Sequence, residues 1–339
     1  MTNKVLLIGG GPAGLETANQ LSLLGYNPVI VEKSDILGGH LAKWDRLFPD
    51  GESAEAVLYK LIKPVEHVPV YFNSTAEEVN RRGELFHVKL SGNKEEIVSA
   101  IVVCAGFSLF AAEKKEEYGY GIYNNVITSS DLESWFKTGK DSRINNPSKV
   151  GFVHCVGSRD EKICNRQCSK VCCVTAVKQA CEIKEKFPEA DVFCFYMDLR
   201  MFGRKYEDLY LKAQNKFGIR FIRGRVSEVS EDVTGRVVIK AEDTLSSKPL
   251  KISLDLLVLM TGMVSNSSIA KLSEILSLSK GEDGFIDPQD SIIQLQESGK
   301  EGIFLAGAIT GPKTIPETLN EARASALAVH NYLNKKKVL

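Results

Sequence analysis

Val5-Leu-Leu-Ile8 is a short apolar run that leads directly into Gly9-Gly-Gly11-Pro12-Ala13-Gly14. Leu15, Ala18, Leu21 and Leu24 follow at helical spacing, and Gly25 is placed to stop that helix. Val29-Ile-Val31 reads as a second strand, with Glu32 at its end. A glycine turn between a strand and a helix, with an acid about 20 residues on, constrains the chain to a parallel βαβ unit around a dinucleotide. The glycines permit the tight turn and close backbone approach, and the helix N-terminus offers N–H groups and positive dipole to the pyrophosphate. Glu32 can accept hydrogen bonds from ribose hydroxyls and disfavours a 2′-phosphate.

A second strand-loop-helix unit begins at Lys149-Val-Gly-Phe-Val-His154. Its loop lacks a glycine fingerprint and carries cysteines instead: Cys155, Cys164, Cys168, Cys172 and Cys173. If a helix begins near Ser169, Cys168 and Cys172 share one face, Cys173 is adjacent, and Cys155 approaches from the strand end. Four thiolates converging this way can hold a cubane iron–sulfur cluster, and a helix N-terminus favours its negative charge. Arg159, Lys162, Arg166 and Lys170 can offset it further. Structural zinc is the first rival, but such sites usually use two well-separated C-x(2–4)-C pairs. A dithiol redox site needs C-x-x-C, which the chain lacks. The plain alternative is a set of buried core thiols, the reading adopted for Cys104, Cys181 and Cys194.

Composition narrows the classes. The 339 residues are enough for two domains, and 43 basic against 43 acidic residues give no footprint for nucleic acid. No apolar run reaches membrane-spanning length, so direct membrane insertion is not expected. The glycine-interrupted N-terminus reads as strand and loop, not as a signal peptide, and clustered thiols fit a reducing compartment. A cytoplasmic location is therefore expected.

Further segments carry a resemblance. Glu32-Lys33-Ser-Asp-Ile-Leu-Gly38-Gly39-His40 resembles the flavin-binding half of the glutathione- and thioredoxin-reductase superfamily. Val68–Ala76 resembles its adenine-contacting stretch, Val102-Val-Cys-Ala105-Gly106 its strand beneath the flavin, and Gly302-Ile-Phe-Leu-Ala-Gly307-Ala308 its last strand. That strand usually ends in Gly-Asp, so Ala308 removes a hydrogen bond to the ribityl chain. Thr314 and Glu317 are spaced as a capping box around Ile315 and Pro316. The resemblance implies FAD, with Gly9, Gly11, Pro12, Ala13, Gly14, Glu32, Lys33, Gly39, His40, Ala76, Ala105, Gly106, Gly307, Ala308, Thr314, Ile315 and Pro316 as its contacts.

Cys155-Val-Gly-Ser-Arg-Asp160, then Cys168-Ser-Lys-Val-Cys172-Cys173, then Ala176-Val-Lys-Gln-Ala180, resembles the A-type subunits of heterodisulfide reductases. Tyr196–Glu207 and Gly307–Pro316 resemble further segments of that family, so the resemblance covers essentially the whole chain. It implies two interleaved Rossmann-like, thioredoxin-reductase-like domains, the second converted to an iron–sulfur cluster domain. It assigns a 4Fe–4S cluster to Cys155, Cys168, Cys172 and Cys173, B- and C-type partner subunits, and a homodimer. The cluster-bearing ends of larger members have no counterpart here, and His40–Glu66 lacks the cysteines of archaeal members. This resembles compact bacterial forms in sulfur-oxidising complexes or, alternatively, in quinone-interacting complexes of sulfate reducers.

The expected domains are 1–110 with 264–339 for FAD, 147–262 for the cluster, and 111–146 as a connecting lobe. Val226–Ala241 is expected as an antiparallel hairpin turning at Asp232–Gly235. No general acid or base stands out, so no catalytic residue is assigned. The expected activity is electron relay between flavin and partner iron–sulfur subunits in sulfur metabolism, with disulfide or sulfur chemistry on the partners. A free-standing NAD(P)H-dependent disulfide reductase and a redox-inert scaffold are the competing readings.

Overall fold

The computed structural model describes residues 2–338. The chain divides into two compact units. The first comprises Met1–Ala42, Glu55–Ser108 and Val264–Leu339, and the second Lys43–Ala54 and Leu109–Met263.

Each unit is built on a five-stranded parallel sheet. In the first, the order is Ile303–Leu305, Ala100–Val103, Lys4–Ile8, Asn27–Val31 and Val70–Tyr71. These strands are near-continuous apolar runs because a parallel sheet is covered on both faces. Val5, Leu6, Leu7, Ile101, Val102 and Val103 are all fully buried. An antiparallel meander, Ala76–Arg82, Leu85–Leu90 and Lys94–Val98, adds Phe86, Val88 and Leu90 to the same core.

The second unit repeats the plan. Its order is Val126–Thr128, Leu256–Thr261, Lys149–Val156, Asp191–Tyr196 and Arg220–Arg223, all parallel. Its meander is Val226–Glu231, Val237–Asp243 and Lys248–Leu254. The expected hairpin is present, and Asp232 Oδ1 holds its turn by accepting the N–H groups of Thr234 (2.8 Å) and Arg236 (3.1 Å). The helix Cys172–Lys186 covers the sheet with Val174, Val177, Ala180 and Ile183 in the core.

The units depart from the expected boundaries in two places. Residues 111–146 run within the second unit, where Val126–Thr128 supplies an edge strand and the helix Ser129–Thr138 packs on the sheet. That helix starts with a reciprocal capping box between Thr128 and Asp131. Residues 43–54, assigned from sequence to the first domain, also belong to the second unit. Asp45 N donates to Glu133 Oε2 (3.1 Å), and Arg46 O accepts from Lys178 Nζ (2.9 Å). Lys178, Glu133 and Glu182 are all buried, and burying charge without such pairing is prohibitive.

Candidate functional site

In the first unit, the strand Lys4–Ile8 delivers the glycine turn and the helix Pro12–Leu23 leaves it. Gly9 has φ +117°, and a Cβ there would lie 2.3 Å from Cys104 O. A Cβ on Gly14 would lie 2.0 Å from Gly9 O. Both positions admit only glycine for reasons internal to the fold. Gly11 differs, because a Cβ there meets nothing within 4 Å. For a Cβ on Gly39, the nearest atom is Gly11 Cα at 3.5 Å. The two glycines therefore line open space, a cradle that side chains would fill. Gly11 caps the helix with no side-chain bond and no acid occupies its first turn, so the first N–H groups remain for an anion. These residues fit a dinucleotide pyrophosphate.

Glu32 is buried and uses both carboxylate oxygens within the protein. Oε2 accepts Gly10 N–H at 2.7 Å, and Oε1 accepts Ser34 N–H and Oγ–H, each at 2.8 Å. Its first task is to fix the turn, and its remaining lone pairs can meet a ribose. Gly10 was not among the expected contacts, yet a Cβ there would lie 2.5 Å from Leu37 Cδ2. The signal available in the sequence was the run of three consecutive glycines, with Gly10 in the middle. Asn266 was also missed. It is buried, donates to Ala105 O (3.3 Å), and accepts from Lys33 Nζ (3.4 Å).

His40 stacks on Phe107 with ring centroids 4.3 Å apart, and its Nε2 lies 3.1 Å from Phe107 O. Gly106 has φ +68°. Ala76 opens a meander strand and is buried in the core. Gly307 packs at the start of the first helix, where an added Cβ would lie 2.8 Å from that of Ala13. Ala308 opens a single helical turn, Ala308–Thr310. The carboxylate missing at Ala308 has a neighbour from another element, because Glu321 Oε2 accepts Gly307 N–H at 3.2 Å. Thr314 and Glu317 form the expected capping box, and Ile315 and Pro316 open the helix Ile315–Val338.

In the second unit, the strand Lys149–Val156 runs past His154 and includes Cys155. Its register with Leu256–Thr261 shifts between Val153 and Val156, and Cys155 has φ +60°. This bulge brings Cys155 Sγ to 3.8 Å from Cys172 Sγ, with both residues buried. Cys173 Sγ donates to Asp198 O at 3.6 Å. Hydrogen bonding to Cys172 lowers both Cys155 and Cys173 despite their burial. Cys172 is pushed upward by those same bonds.

The helix begins at Cys172, not near Ser169, so Cys168 and Cys172 do not share a helical face. Lys170 adopts φ +61°, and Ser169 Oγ is engaged by Met263 N–H at 2.8 Å, which makes residues 168–171 a turn. Cys168 is half-buried and its sulfur accepts Lys170 N–H at 3.3 Å. Among the described residues, no three or more His, Cys, Asp or Glu side chains form a group able to hold a metal ion. Cys164 is exposed, at the tip of a loop closed by paired backbone bonds between Asp160 and Asn165. Cys104, Cys181 and Cys194 are buried, and burial pushes Cys104 and Cys181 up to about 12.

The sulfurs sit among unsatisfied polar atoms. Near the sulfurs, Arg159 Nη1 and the ring nitrogens of His154 are buried without well-formed hydrogen bonds, and His154 adjoins the Cys173 sulfur. An unpaired buried donor typically costs about 1–3 kcal/mol, so several in one neighbourhood ask for an acceptor. Arg159 also lies within electrostatic reach of both Cys155 and Cys168. Soft sulfurs beside the Arg159 charge suit an anionic iron–sulfur group in chemistry, but Cys168 is turned away from the others.

Known proteins give a consistent picture. Residues 1–122 match the pyridine nucleotide-disulphide oxidoreductase family. Over 96% of its length, the chain is 31% identical to the second A-type iron-sulfur subunit of CoB–CoM heterodisulfide reductase from Methanopyrus kandleri, and it covers 64% of that protein. It is 30% identical, again over 96% of its length, to the A-type subunit of the H(2):CoB-CoM heterodisulfide,ferredoxin reductase of Methanothermobacter thermautotrophicus, and it covers 63% of it. The chain thus spans somewhat less than two thirds of these relatives. Among solved structures, thioredoxin reductase of Lactococcus lactis superposes with a TM-score of 0.70 at 16% identity, over 98% of this chain and 99% of that one. The thioredoxin reductase of T. acidophilum gives 0.68 at 15%, over 98% and 99%. No helix among the described residues is long and apolar enough to cross a membrane. The fold is thioredoxin-reductase-like, and by sequence over nearly its whole length the chain is similar to the A-type subunits of heterodisulfide reductases.

Proposed function

We propose that this chain is the flavin- and iron–sulfur-containing electron-transfer subunit of a heterodisulfide-reductase-like oxidoreductase. The observation that carries the proposal is the buried approach of Cys155 to Cys172 at the end of a parallel strand, with Arg159 and His154 beside the sulfurs. The relatives' names support it, since both relatives above are A-type subunits and one is named as an iron-sulfur subunit. FAD, if bound, would supply two-electron chemistry and a 4Fe–4S centre one-electron chemistry, a combination suited to one-electron partners.

The residues have distinct tasks. Gly11 and Gly39 leave room for the pyrophosphate, and the helix start at Pro12 presents its N–H groups. Glu32 fixes the turn and offers acceptors to the ribose. Cys155, Cys168, Cys172 and Cys173 are the proposed cluster ligands, which requires the turn at residues 168–171 to swing Cys168 toward the other three. Arg159 and His154 donate to the sulfurs. B- and C-like iron–sulfur subunits, a homodimer, a cytoplasmic setting and a role in sulfur metabolism complete the reading, with a quinone-linked complex as its variant.

The test is anaerobic purification with flavin, iron and acid-labile sulfide assays and EPR of the reduced protein. Flavin together with about four irons per chain, and loss or conversion of the cluster signal in Cys168→Ser, is the expected result. Flavin without iron or sulfide would overturn the cluster. Rapid bleaching of the flavin by NADH in the isolated chain would favour a nicotinamide-dependent disulfide reductase instead.

A further inference from the structure

The sheet of the first unit brings a carboxylate to each side of its glycine turn. Glu32 follows the strand Asn27–Val31, which borders Lys4–Ile8 on one side. On the other side, beyond Ala100–Val103, the strand Ile303–Leu305 leads into Ala306 and Gly307. Both lie at the carboxyl ends of the strands, the edge where open α/β sheets bind their ligands. Gly307 comes up against the start of the helix Pro12–Leu23, since a Cβ on it would lie 2.8 Å from that of Ala13. Glu321 is anchored at this point, because its Oε2 accepts Gly307 N–H at 3.2 Å.

The position of Glu321 is fixed from outside the residue. The next two residues of its helix, Ile315–Val338, are tied to the first helix. Thr17 Oγ1 approaches Ala322 O at 3.5 Å, and Arg323 Nε donates to Glu16 Oε1 at 2.6 Å. An ionised carboxylate has about four acceptor directions. Gly307 N–H uses one on Oε2, and Lys313 Nζ lies 3.3 Å from Oε1. Acceptor capacity therefore remains on a side chain that is 17% exposed, neither sealed in the core nor loose in solvent.

A dinucleotide is two hydroxyl-bearing halves joined by a pyrophosphate. The glycine turn and the helix start suit the pyrophosphate, and Glu32 stands where the hydroxyls of one half would lie. The other half then has the Gly307 side of the turn. Its hydroxyls are donors, and a bond to an ionised acceptor is stronger than one between neutral groups. Ala308, next in the chain, has no polar side chain to offer. A bare carboxylate so close to phosphates would repel them. Lys313 supplies the compensating charge, and its Nζ also donates to Gly307 O at 3.3 Å.

We propose that Glu321 is the hydroxyl acceptor for the ribityl chain of FAD, with Lys313 as the positioning residue that holds its carboxylate at Gly307. The proposal rests on the flavin reading of the first unit and adds to it a binding residue from a different element.

The test uses the full chain freed of flavin, with FAD and its 2′-, 3′- and 4′-deoxyribityl analogues as probes. Affinity is read from quenching of flavin fluorescence, and thermal unfolding of each apoprotein checks its fold. Glu321→Ala should weaken FAD binding about tenfold or more. In wild type, at least one deoxy analogue should lose affinity by a similar factor relative to FAD. In Glu321→Ala that same analogue should bind as well as FAD does, because the acceptor it fails to meet is already gone. A carboxylate that only props Gly307 would weaken FAD and every analogue alike. If Glu321→Ala does not fold, the comparison is made on Glu321→Gln, whose neutral amide should bring a smaller loss of the same kind. Wild-type FAD affinity in the folded variant, or equal losses for each analogue in wild type and variant, overturns the role of Glu321 alone. Failure of the wild-type chain to bind FAD overturns the flavin reading and this contact with it.

Discussion

Glu321 and Lys313 form a largely enclosed ion pair at 3.3 Å, and both grip the backbone of Gly307. Glu321 Oε2 accepts its N–H at 3.2 Å, and Lys313 Nζ donates to its carbonyl at 3.3 Å. Burial raises the Glu321 carboxyl above its usual 4.5, and Lys313 opposes that rise. A carboxyl raised in the folded state holds its proton longer than in the unfolded chain, so stability falls as pH climbs from 4.5 through the folded value. Lys313→Met should raise that value further. The variant is expected to lie close to wild type at about pH 4.5 and to lose about 2 kcal/mol by neutral pH. Urea unfolding at the two pH values checks this, and a deficit independent of pH contradicts it.

Glu182 is the other carboxyl displaced upward, to about 7. Burial is the main cause, with Glu133 adding repulsion, while Lys178 and Arg46 pull the other way. Neither Glu182 oxygen has a hydrogen-bond partner, although Lys178 Nζ lies 3.2 Å away. The folded state keeps this proton between about pH 4.5 and 7 while the unfolded chain releases it, so wild-type stability declines across that window. A shift of this size corresponds to roughly 3 kcal/mol in order of magnitude. Glu182→Gln should flatten the decline and be more stable than wild type above pH 7. Equal pH profiles for the two proteins would refute the assignment.

Arg159 has one nitrogen on Asp198 and one buried without a partner beside the thiolates. With the proposed cluster in place, its charge stabilises the reduced, more negative state. Arg159→Met should move the cluster potential to more negative values, as read by EPR-monitored titration. Asp198→Asn, which frees the guanidinium from its carboxylate, should move it the opposite way. Unchanged potentials in both variants would remove Arg159 from any part in tuning the centre.

The first βαβ unit was legible in the sequence because its determinants are local: an apolar run, glycines at fixed spacing, a helical period and Glu32. The capping box at Thr314 and Glu317 was legible for the same reason. Residues 43–54 were not, because what places them is a set of polar bonds from Asp45 and Arg46 to Glu133 and Lys178, each more than 80 residues away. No periodicity records such a contact. The start of the cysteine helix was misplaced by the spacing of Cys168 and Cys172, which mimics a helical pair. Ser169 decides otherwise, since its hydroxyl serves Ser158 and the N–H of Met263 and so holds the preceding turn open. Glu321 and Asn266 were invisible because a buried polar residue looks like a surface one until its partner is known.

The glycine turn allows folding and ligand binding to be separated by two substitutions three residues apart. Gly14→Ala places a Cβ 2.0 Å from Gly9 O, a backbone atom that cannot yield without opening the turn. That variant should lose stability by about 3 kcal/mol or fail to fold, and its loss of flavin is then uninformative. Gly11→Ala places a Cβ where no protein atom lies within 4 Å, at a helix N-cap with φ −76°, a conformation that alanine adopts freely. The apoprotein should therefore melt within about 0.5 kcal/mol of wild type, because surface changes without lost contacts cost little. Flavin affinity should nevertheless fall at least about tenfold, since the methyl occupies the close approach the pyrophosphate needs. Calorimetric unfolding of both apoproteins, followed by FAD titration of Gly11→Ala, separates the effects. Full flavin affinity in a stable Gly11→Ala protein would mean that the phosphates do not pass this turn, and the dinucleotide assignment of the first unit would have to be abandoned.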